Sequence, residues 1–416
     1  MTWLRDDGTH DETECARMKI LLLTAGTRGD VEPFVALARA AVARGYSVRT
    51  AIPDNSGTDI TGLDTVSLGM DFAQLISDQG VSPGMAAKKF RAVIRPSFAR
   101  LLQAAVEQIL TFAPDVVAYH PKILSAPIAA ERLGIPSVLV ETIPSFTATR
   151  EFPLPILTRT SLGPLNRASY RLAGVAELMF KRELAAAVED LPPAPRTGSS
   201  GSATLIPISP LLLPRSADWP ATVHLTGHWT GHPTPAVEAD TELADFIEGG
   251  DFVYAGFGSM KAGDPRTRGE AIVEAARRNG LRVLVARGWG GIDLPAAAQG
   301  DNLLVRESVD HHLVLPRATA AIHHGGAGSA HAVVRAGIPS VVVPFIGDQP
   351  FWGHLLHRRR LAPEPIPYRK VTVDRLTDAL AQAGKYKDQA TRTGELLRKE
   401  DGTAVALDVL ETLVRP

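Results

Sequence analysis

Short apolar runs alternate along the chain with stretches of helical period. The apolar run 19–24 (KILLLT) leads into a glycine-containing turn, an apolar periodicity over 31–44, Gly45 and a second apolar run over 46–52. Strand, turn, helix, glycine stop and strand together predict a βαβ unit of a parallel sheet. The alternation continues with a helix over 100–112, a strand over 115–119, a helix over 126–133 and a strand over 137–141. The first half therefore predicts a doubly wound α/β domain.

The same alternation returns after a stretch rich in proline, glycine and serine. Residues 191–202 and the prolines that follow predict a loop-rich region, and 229–240 is the predicted linker. Beyond it the pattern predicts strands at 252–256, 282–286, 303–307, 318–323 and 340–344, and helices at 268–278, 329–336, 374–383 and 389–413. We therefore predict two domains, 18–228 and 241–416, with a terminal helix able to pack back on the first. Ligands of such sheets bind outside the carboxyl ends of the strands, which places the expected site in a cleft between the domains.

Composition excludes several classes of protein. The 416 residues are 45% hydrophobic and 21% charged, as in ordinary globular proteins, and the net charge is −1. This balance predicts no nucleic-acid partner, while a local basic patch stays open. A single cysteine, Cys15, excludes an internal disulfide framework and a cysteine-rich metal site. No apolar run reaches about 18 residues, so we expect no integral membrane association. The polar segment 1–17 lacks a secretory pattern, which predicts a disordered extension on a cytoplasmic protein.

The segment 323–352 (HHGGAGSAHAVVRAGIPSVVVPFIGDQPFW) carries the most specific chemistry. Gly326 and Gly328 stand between a predicted strand and a predicted helix, where backbone N–H groups and the positive helix end can bind a phosphate. His324 and Ser329 add a ring nitrogen and a hydroxyl. The alternative is a turn in which the glycines only let the backbone bend. Two adjacent histidines directly before the turn favour phosphate binding.

Three further side chains are candidates with an alternative structural role. Asp348 and Gln349 together suit neighbouring sugar hydroxyls, since each hydroxyl both donates and accepts. A helix cap followed by Pro350 is the alternative for Asp348. Asp30 lies where the first helix begins, in a motif (TAGTRGDVEP) that lacks a dinucleotide fingerprint. It is a candidate general base on an alcohol, although helix capping is the commoner role of an isolated aspartate there.

Two other positions follow strands of the second half. Ser259, after Gly256 and Gly258, is a candidate for contacting phosphate from the opposite side, or merely part of a turn. Trp289 is a candidate for stacking on a base, or for covering the core. No histidine or acidic cluster has metal-ligand spacing, so we predict no metal site.

In this order and spacing, the motifs resemble the GT-B glycosyltransferases of family 1, above all sterol 3-β-glucosyltransferases and bacterial enzymes that glycosylate antibiotics. The resemblance is carried by LLLTAGTRGDVEPFVALARA, PSFTATREFP, FVYAGFGSM, VARGWGG and HHGGAGS with PFIGDQPFWG. It implies two facing Rossmann-like domains and an inverting transfer of a hexose or deoxyhexose from a UDP- or dTDP-sugar to a hydroxyl of a lipophilic acceptor. No metal or other cofactor is implied, and the oligomeric state is not indicated.

The resemblance also implies roles by position. Asp30 becomes the general base, Asp348 and Gln349 contact the sugar, and Ser259 and Trp289 lie near the nucleotide. The diphosphate is expected to be bound by His324, Gly326, Gly328 and Ser329. Where relatives have Thr-Thr, this chain has Ser329-Ala330-His331, and we expect His331 to reach donor or solvent. The acceptor pocket is expected in the loops at 60–99 and 156–182. Their apolar residues are candidates for its lining and, equally, for the core: Met70, Phe72, Met85, Phe90, Phe98, Met179 and Phe180. A nucleotide-sugar epimerase and a non-catalytic partner protein of the same fold are the alternative functions.

Overall fold

A computed structural model gives the fold. It describes residues 17–72, 90–157, 160–195, 201–231, 240–258, 260, 262–288, 290–295 and 299–414. Two predicted site residues, Ser259 and Trp289, therefore lie outside the described residues, as do most of the predicted N-terminal extension and most of the predicted linker.

The first half is built on a seven-stranded sheet in which every paired strand is parallel. Its strands are β1 (Lys19–Leu23), β2 (Ser47–Asp54), β3 (Asp64–Asp71), β4 (Val116–Tyr119), β5 (Ser137–Val140), β6 (Ser202–Ile206) and β7 (Val223–Leu225). They follow the order β3-β2-β1-β4-β5-β6-β7. The long helices are α1 (Arg28–Ala43), α2 (Arg95–Phe112) and α3 (Ser125–Leu133), and shorter ones span Asn166–Ser169, Val175–Met179 and Lys181–Ala187.

The second half repeats the architecture on a smaller, five-stranded parallel sheet of order β10-β9-β8-β11-β12. Its strands are β8 (Phe252–Gly256), β9 (Arg282–Ala286), β10 (Leu303–Arg306), β11 (Ala320–His323) and β12 (Ser340–Val342). Its helices are α4 (Thr241–Glu248), α5 (Pro265–Arg278), His311–Val314, α6 (Ala327–Ala336), α7 (Gln349–Arg358), α8 (Val373–Ala383), α9 (Lys387–Leu397) and α10 (Gly402–Val414). The predicted α/β class with two parallel sheets is confirmed.

Both sheets are covered on both faces, which explains why their strands read as continuous apolar runs. Separate clusters of buried side chains fill the two faces of the first sheet, one around Leu21 and Leu101 and one around Ile20 and Phe34. The carboxyl ends of β1 and β4 are neighbours in the first sheet, as are those of β8 and β11 in the second. Side chains that follow these four strands are therefore collected at the two sheet edges where ligands bind.

The predicted single helix over 389–413 is wrong. The chain leaves α9 at Leu397 and starts α10 at Gly402, because Asp401 accepts hydrogen bonds from the backbone N–H of Ala404 and the hydroxyl of Thr403. A Cβ on Gly402 would stand 2.5 Å from the carbonyl oxygen of Gly227, so only glycine fits this crossing. From here α10 packs on the first half, where Leu407 and Leu410 join the cluster of Ile20 and Phe34.

Strands β3, β6 and β7 were not predicted. Two of them are short, five and three residues, and lie in the proline-rich region expected to be loop. Their place is fixed by parallel pairing with β5 and with each other. Pairing between distant segments leaves no local periodicity for a sequence pattern to report.

Candidate active site

Asp30 lies in the first turn of α1, at the carboxyl edge of the first sheet. Its Oδ2 accepts a hydrogen bond from the backbone N–H of Thr27 at 2.9 Å, and its own carbonyl accepts one from the hydroxyl of Thr24 at 2.8 Å. The capping role that we considered for Asp30 is therefore present. Gly26 makes room for it, since a Cβ there would stand 1.9 Å from Oδ2. Capping uses one side of the carboxylate and leaves the rest for other partners.

Those other partners follow β4, the neighbour of β1, and sequence reasoning missed both. The Nζ of Lys122 lies 3.0 Å from Oδ2 of Asp30, and Nε2 of His120 lies 3.2 Å from Oδ1. Burial by itself raises the pKa of Asp30, but the charge of Lys122 and the hydrogen bond from His120 outweigh it and hold that pKa well below its usual range. The available signal was the strand order of a doubly wound sheet, which brings residues after β1 and β4 together.

The hydrogen bonds of His120 assign its tautomer. Its Nδ1 accepts from the backbone N–H of Lys122 at 3.2 Å, so the proton resides on Nε2 and points at Asp30. Burial first, and then the charge of Lys122, lower the pKa of His120, which keeps the ring neutral. With both ring nitrogens engaged, His120 orients the carboxylate of Asp30.

The phosphate candidates surround the N-terminus of α6. This helix begins at Ala327, two residues earlier than predicted, and no side chain caps it at Gly326. Its first amide groups have no partner inside the helix. A Cβ on Gly325 would stand 2.6 Å from Cγ1 of Val342, and one on Gly326 would stand 2.6 Å from Nε2 of His324. Gly328 is exposed and Ser329 half-buried, so the open side of the turn faces outward.

His324 and His323 have opposite surroundings. His323 is buried, and its Nδ1 accepts from the N–H of Gly325 at 3.2 Å, which holds the turn. His324 is half-buried, and its Nδ1 has no hydrogen-bond partner in the described part of the chain. Burial, with a smaller effect of His311, lowers the pKa of His324 to about 4. It therefore presents a neutral ring with an unused nitrogen beside the α6 N-terminus.

Asp348 and Gln349 differ in which of their side-chain atoms are already hydrogen-bonded. Asp348 makes no capping hydrogen bond at the start of α7; instead its Oδ2 accepts from Nε1 of the buried Trp352 at 2.7 Å. Gln349 is buried, and its Oε1 accepts from the backbone N–H groups of Phe345 and Ile346 at 2.8 and 3.2 Å. Its Nε2 contacts Sδ of Met260 at 3.2 Å. The carbonyl of Gln349 thus holds its own loop, and only its Nε2 stays available to a ligand.

Described glycines on either side of positions 259 and 289 approach each other closely. A Cβ on Gly288 would stand 2.4 Å from the carbonyl oxygen of Gly258, and one on Gly291 would stand 2.6 Å from that of Met260. A Cβ on Gly258 would in turn lie 3.7 Å from Cε1 of His324. Gly258 and Gly288 therefore meet next to the phosphate turn.

The two halves bring their candidates into one electrostatic site. Burial is the main cause that raises the pKa of Asp348 to about 6, and the negative charge of Asp30 adds to it, while the positive charge of Lys122 opposes it. Burial is the main cause that lowers the pKa of His311, and among the smaller causes Glu32 of α1 raises it and Arg28 of α1 lowers it. The Nε2 of His311 is 2.9 Å from the hydroxyl of Tyr254. The cleft expected from the sequence is lined by charges from both sheets.

One expectation about the site is wrong. His331 reaches neither donor nor solvent: it is fully buried, donates from Nδ1 to the carbonyl of Ala327 and accepts at Nε2 from the N–H of Ser209. It also stacks on His228 at 4.4 Å between centroids, so it joins the halves as a structural residue. For the apolar residues of 60–99 and 156–182, the sequence left open an acceptor pocket or the core, and the structure buries Met70, Phe98 and Phe180 together in the core. Met85 lies outside the described residues.

Comparisons with known proteins place this site in a family. The model of the glycosyltransferase family 28 N-terminal domain matches residues 20–153, and that of the erythromycin biosynthesis protein CIII-like C-terminal domain matches 296–401. Among solved structures, the glycosyltransferase of kitacinnamycin aligns with a TM-score of 0.69 at 20% identity, over 95% of this chain and 99% of that one. The calicheamicin glycosyltransferase aligns with a TM-score of 0.68 at 16% identity, over 96% and 98%.

The O-mycaminosyltylonolide 6-deoxyallosyltransferase of Streptomyces fradiae is 30% identical over 95% of this chain and 97% of its own length. The chain belongs to the GT-B glycosyltransferases. A sterol 3-beta-glucosyltransferase of Arabidopsis thaliana is also 30% identical, and the match covers 96% of this glycosyltransferase and 69% of the plant enzyme. A second sterol 3-beta-glucosyltransferase of the same plant is 31% identical, and this chain covers 64% of its length. The resemblance read from the motifs is confirmed.

The described part of this glycosyltransferase contains neither a metal-binding cluster nor a membrane-spanning helix. Among the described residues, no group of three or more histidine, cysteine, aspartate or glutamate side chains is placed to hold a metal ion. None of the described helices is long and apolar enough to cross a bilayer.

Replacing Asp348 with asparagine should stabilise this glycosyltransferase more at pH 8 than at pH 5. A carboxylate whose pKa rises from 3.8 to about 6 on folding costs roughly 2–3 kcal/mol once pH exceeds both values. At pH 5 the folded form is protonated and only about half of that cost remains. Asparagine keeps an oxygen that can accept from Trp352. Thermal unfolding at both pH values measures the difference, and the exposed Asp378→Asn is the control. Equal shifts of Tm at the two pH values would contradict this assignment.

Proposed function

We propose that this glycosyltransferase transfers a hexose or deoxyhexose, with inversion, from a UDP- or dTDP-sugar to a hydroxyl of a lipophilic acceptor. The proposal rests on two groups: the carboxylate of Asp30, held by His120 and Lys122 and acting on Asp348 of the second half, and the N-terminus of α6 beside His324, whose Nδ1 has no partner among the described residues. Displacement at the anomeric carbon needs a base that takes the proton of the attacking hydroxyl and a group that binds the anionic leaving diphosphate. The ionised carboxylate and the helix end are these two groups.

The donor diphosphate would lie against the first turn of α6. The amide groups of Gly328 and Ser329 and the partial positive charge of the helix end stabilise the leaving group as its negative charge grows. His324 adds one N–H from its neutral ring. In this proposal neither a metal nor another cofactor is required, because these groups supply the positive potential. A solved glycosyltransferase in complex with dTDP has the same fold, with a TM-score of 0.64 at 20% identity, which supports a nucleoside-diphosphate donor.

The sugar would lie between the two halves. One oxygen of Asp348 is held by Trp352, and its other oxygen and Nε2 of Gln349 are the proposed contacts to sugar hydroxyls. Ser259 and Trp289 are proposed beside the nucleotide, because they follow Gly258 and Gly288, which meet next to His324. Asp30 faces this region from the first half, near enough for its charge to act on Asp348.

The acceptor hydroxyl would attack the anomeric carbon from the side opposite the diphosphate. A carboxylate with a low pKa is a weak base toward a free alcohol, but the hydroxyl becomes strongly acidic as its bond to the sugar forms. Asp30 receives the proton at that stage. The proposed acceptor site is a mainly apolar pocket of about 450 Å³, lined by Leu157 from the first half and by Ile346, Pro350 and Tyr368, among others, from the second, where Ile346 and Pro350 flank Asp348 in the chain. Relatives named for sterol and tylonolide acceptors support a lipophilic acceptor for this pocket.

A transfer assay tests the proposal. The purified protein is incubated with UDP- and dTDP-linked hexoses and deoxyhexoses, each with and without sterol and macrolide alcohols. We expect a glycoside of inverted anomeric configuration and one nucleoside diphosphate released per glycoside, unchanged by a chelator. Conversion of the sugar nucleotide without any alcohol would identify an epimerase instead. Tight donor binding without transfer across the panel would identify a non-catalytic protein. The predicted cytoplasmic location stays a prediction.

A further inference from the structure

The segment 165–182 exposes large apolar side chains on the outer side of the first half. It is helical through most of its length, with Asn166–Ser169, a 3₁₀ stretch Tyr170–Gly174 and Val175–Met179, followed by the helix Lys181–Ala187. Its inner side packs on the core through Tyr170 and Phe180. Its outer side carries Leu165, Leu172, Val175, Leu178 and Met179, which are between 45% and 74% exposed. We call these five residues the outer stripe.

The spacing of the outer stripe is that of one helix face. Leu165, Leu172, Val175 and Met179 are separated by seven, three and four residues, and Leu178 lies beside them. Single exposed leucines are ordinary on a protein surface, but five large exposed apolar side chains within eighteen residues are a concentration typical of an interaction site. The face turned away from the core is thus apolar, which is the reverse of a normal surface helix.

Positive charge surrounds the outer stripe. The same segment contains Arg167, Arg171, Lys181 and Arg182, all exposed, and only one carboxylate, Glu177. Glu183, just beyond it, pairs with Arg95, and Arg167 pairs with Asp218 at 3.1 Å while staying half exposed. A chain with net charge −1 therefore carries a local basic excess around its most apolar exposed helices.

We propose that the outer stripe docks on an anionic bilayer surface. Apolar side chains in the headgroup boundary, with lysine and arginine beside acidic headgroups, are what makes a helix bind in the plane of a membrane. A protein partner would need the apolar stripe but not the basic excess, so the charge favours the lipid surface. This inference does not rest on the proposed sugar transfer.

The outer stripe is tied to the candidate active site. The backbone N–H of Leu154 donates to the hydroxyl of Ser169 at 2.8 Å, and that of Leu162 donates to Oδ1 of Asn166 at 2.8 Å. These bonds anchor Leu154 and Leu162 on either side of Leu157 in the chain. Leu157 lines the apolar pocket together with Ile346.

Vesicle sedimentation tests the docking. The whole protein is mixed with vesicles of phosphatidylcholine alone, or of phosphatidylcholine with phosphatidylglycerol. We expect binding to the anionic vesicles only, weakening as salt shortens the range of charge interactions. The variant Leu172→Glu/Leu178→Glu should bind about tenfold more weakly or worse. So should Arg171→Glu/Lys181→Glu. The controls are Leu396→Glu, whose leucine is 50% exposed against 51% for Leu172, and Arg375→Glu/Arg392→Glu.

The proposal fails if the unchanged protein ignores anionic vesicles, or if the outer-stripe variant binds as well as the unchanged protein. It also fails if the controls weaken binding equally. A shift from dimer to monomer in the outer-stripe variant, without vesicle binding by the unchanged protein, would assign the stripe to a second copy instead. Because binding is measured without sugar nucleotide or acceptor, failure of the proposed transfer leaves the result readable.

Discussion

Replacing Asp30 with asparagine should remove sugar transfer while donor binding survives. The amide cannot take a proton from the attacking hydroxyl, and loss of such a group typically costs roughly 10²–10⁴-fold in rate. The amide oxygen can still accept from the N–H of Thr27, so α1 keeps its cap. Turnover with saturating substrates measures the loss, and calorimetry with UDP or dTDP measures donor affinity. The control is Asp264→Asn, which changes a carboxylate that caps α5.

Full turnover by Asp30→Asn, with turnover equal to that of Asp264→Asn, would exclude Asp30 as the base. Lys122→Met gives a second readout that a merely structural role would not move. Lys122 holds the pKa of Asp30 down, so the carboxylate stays ionised and active into acid. Without it, that pKa rises and the acid limb of kcat/KM moves to higher pH. An unmoved limb would show that Asp30 is not the group that titrates.

Replacing His324 with alanine should slow transfer about 100- to 1000-fold, the usual effect of losing one donor to a developing negative charge. It should also weaken binding of a nucleoside diphosphate. The fold should tolerate the change, because Nδ1 of His324 has no partner to lose in the described part of the chain. The ring lies against Gly326, which has no side chain: a Cβ there would stand 2.6 Å from Nε2 of His324. Single-turnover rates measure the first effect, and calorimetry with UDP and dTDP measures the second.

His312→Ala removes an exposed histidine of the short helix His311–Val314 and is the matched control. It should bind donor and turn over like the unchanged protein. Donor affinity and rate that stay normal in His324→Ala would refute the assignment of His324 to the diphosphate. Loss of both together with a large drop in Tm would show a packing role, which thermal unfolding of the variant reveals.

The local sequence pattern was sufficient to predict strands that are buried on both faces and turns that contain glycine. The strands β1 and β9 were predicted to within a residue, since central parallel strands are apolar throughout and end abruptly at turns. The phosphate turn was recognised from its glycines and histidines, and the structure added that Gly325 and Gly326 are needed for close approach. The start of α6 moved by two residues, because Gly326 takes the N-cap position and Ala327, a strong helix former, begins the helix.

Contacts between distant segments were out of reach of such patterns. His331 looked like a ligand residue, yet Ser209 and His228, more than a hundred residues earlier, enclose it. Gln349 looked free to bind sugar, yet its buried side chain contacts Sδ of Met260, 89 residues earlier. In both cases a polar side chain is buried with partners, and burial is not visible in a residue's type.

By itself the sequence determined two parallel α/β halves, their turns and the residue types that face an anion and a hydroxyl, because these follow from periodicity and from backbone geometry near glycine. Only the tertiary structure decided that Asp30 is paired with His120 and Lys122, that Asp348 titrates near pH 6, and that α10 returns to the first half. The reason is that pKa values and ion pairs depend on distances between residues far apart in the chain, and only the folded arrangement sets those distances.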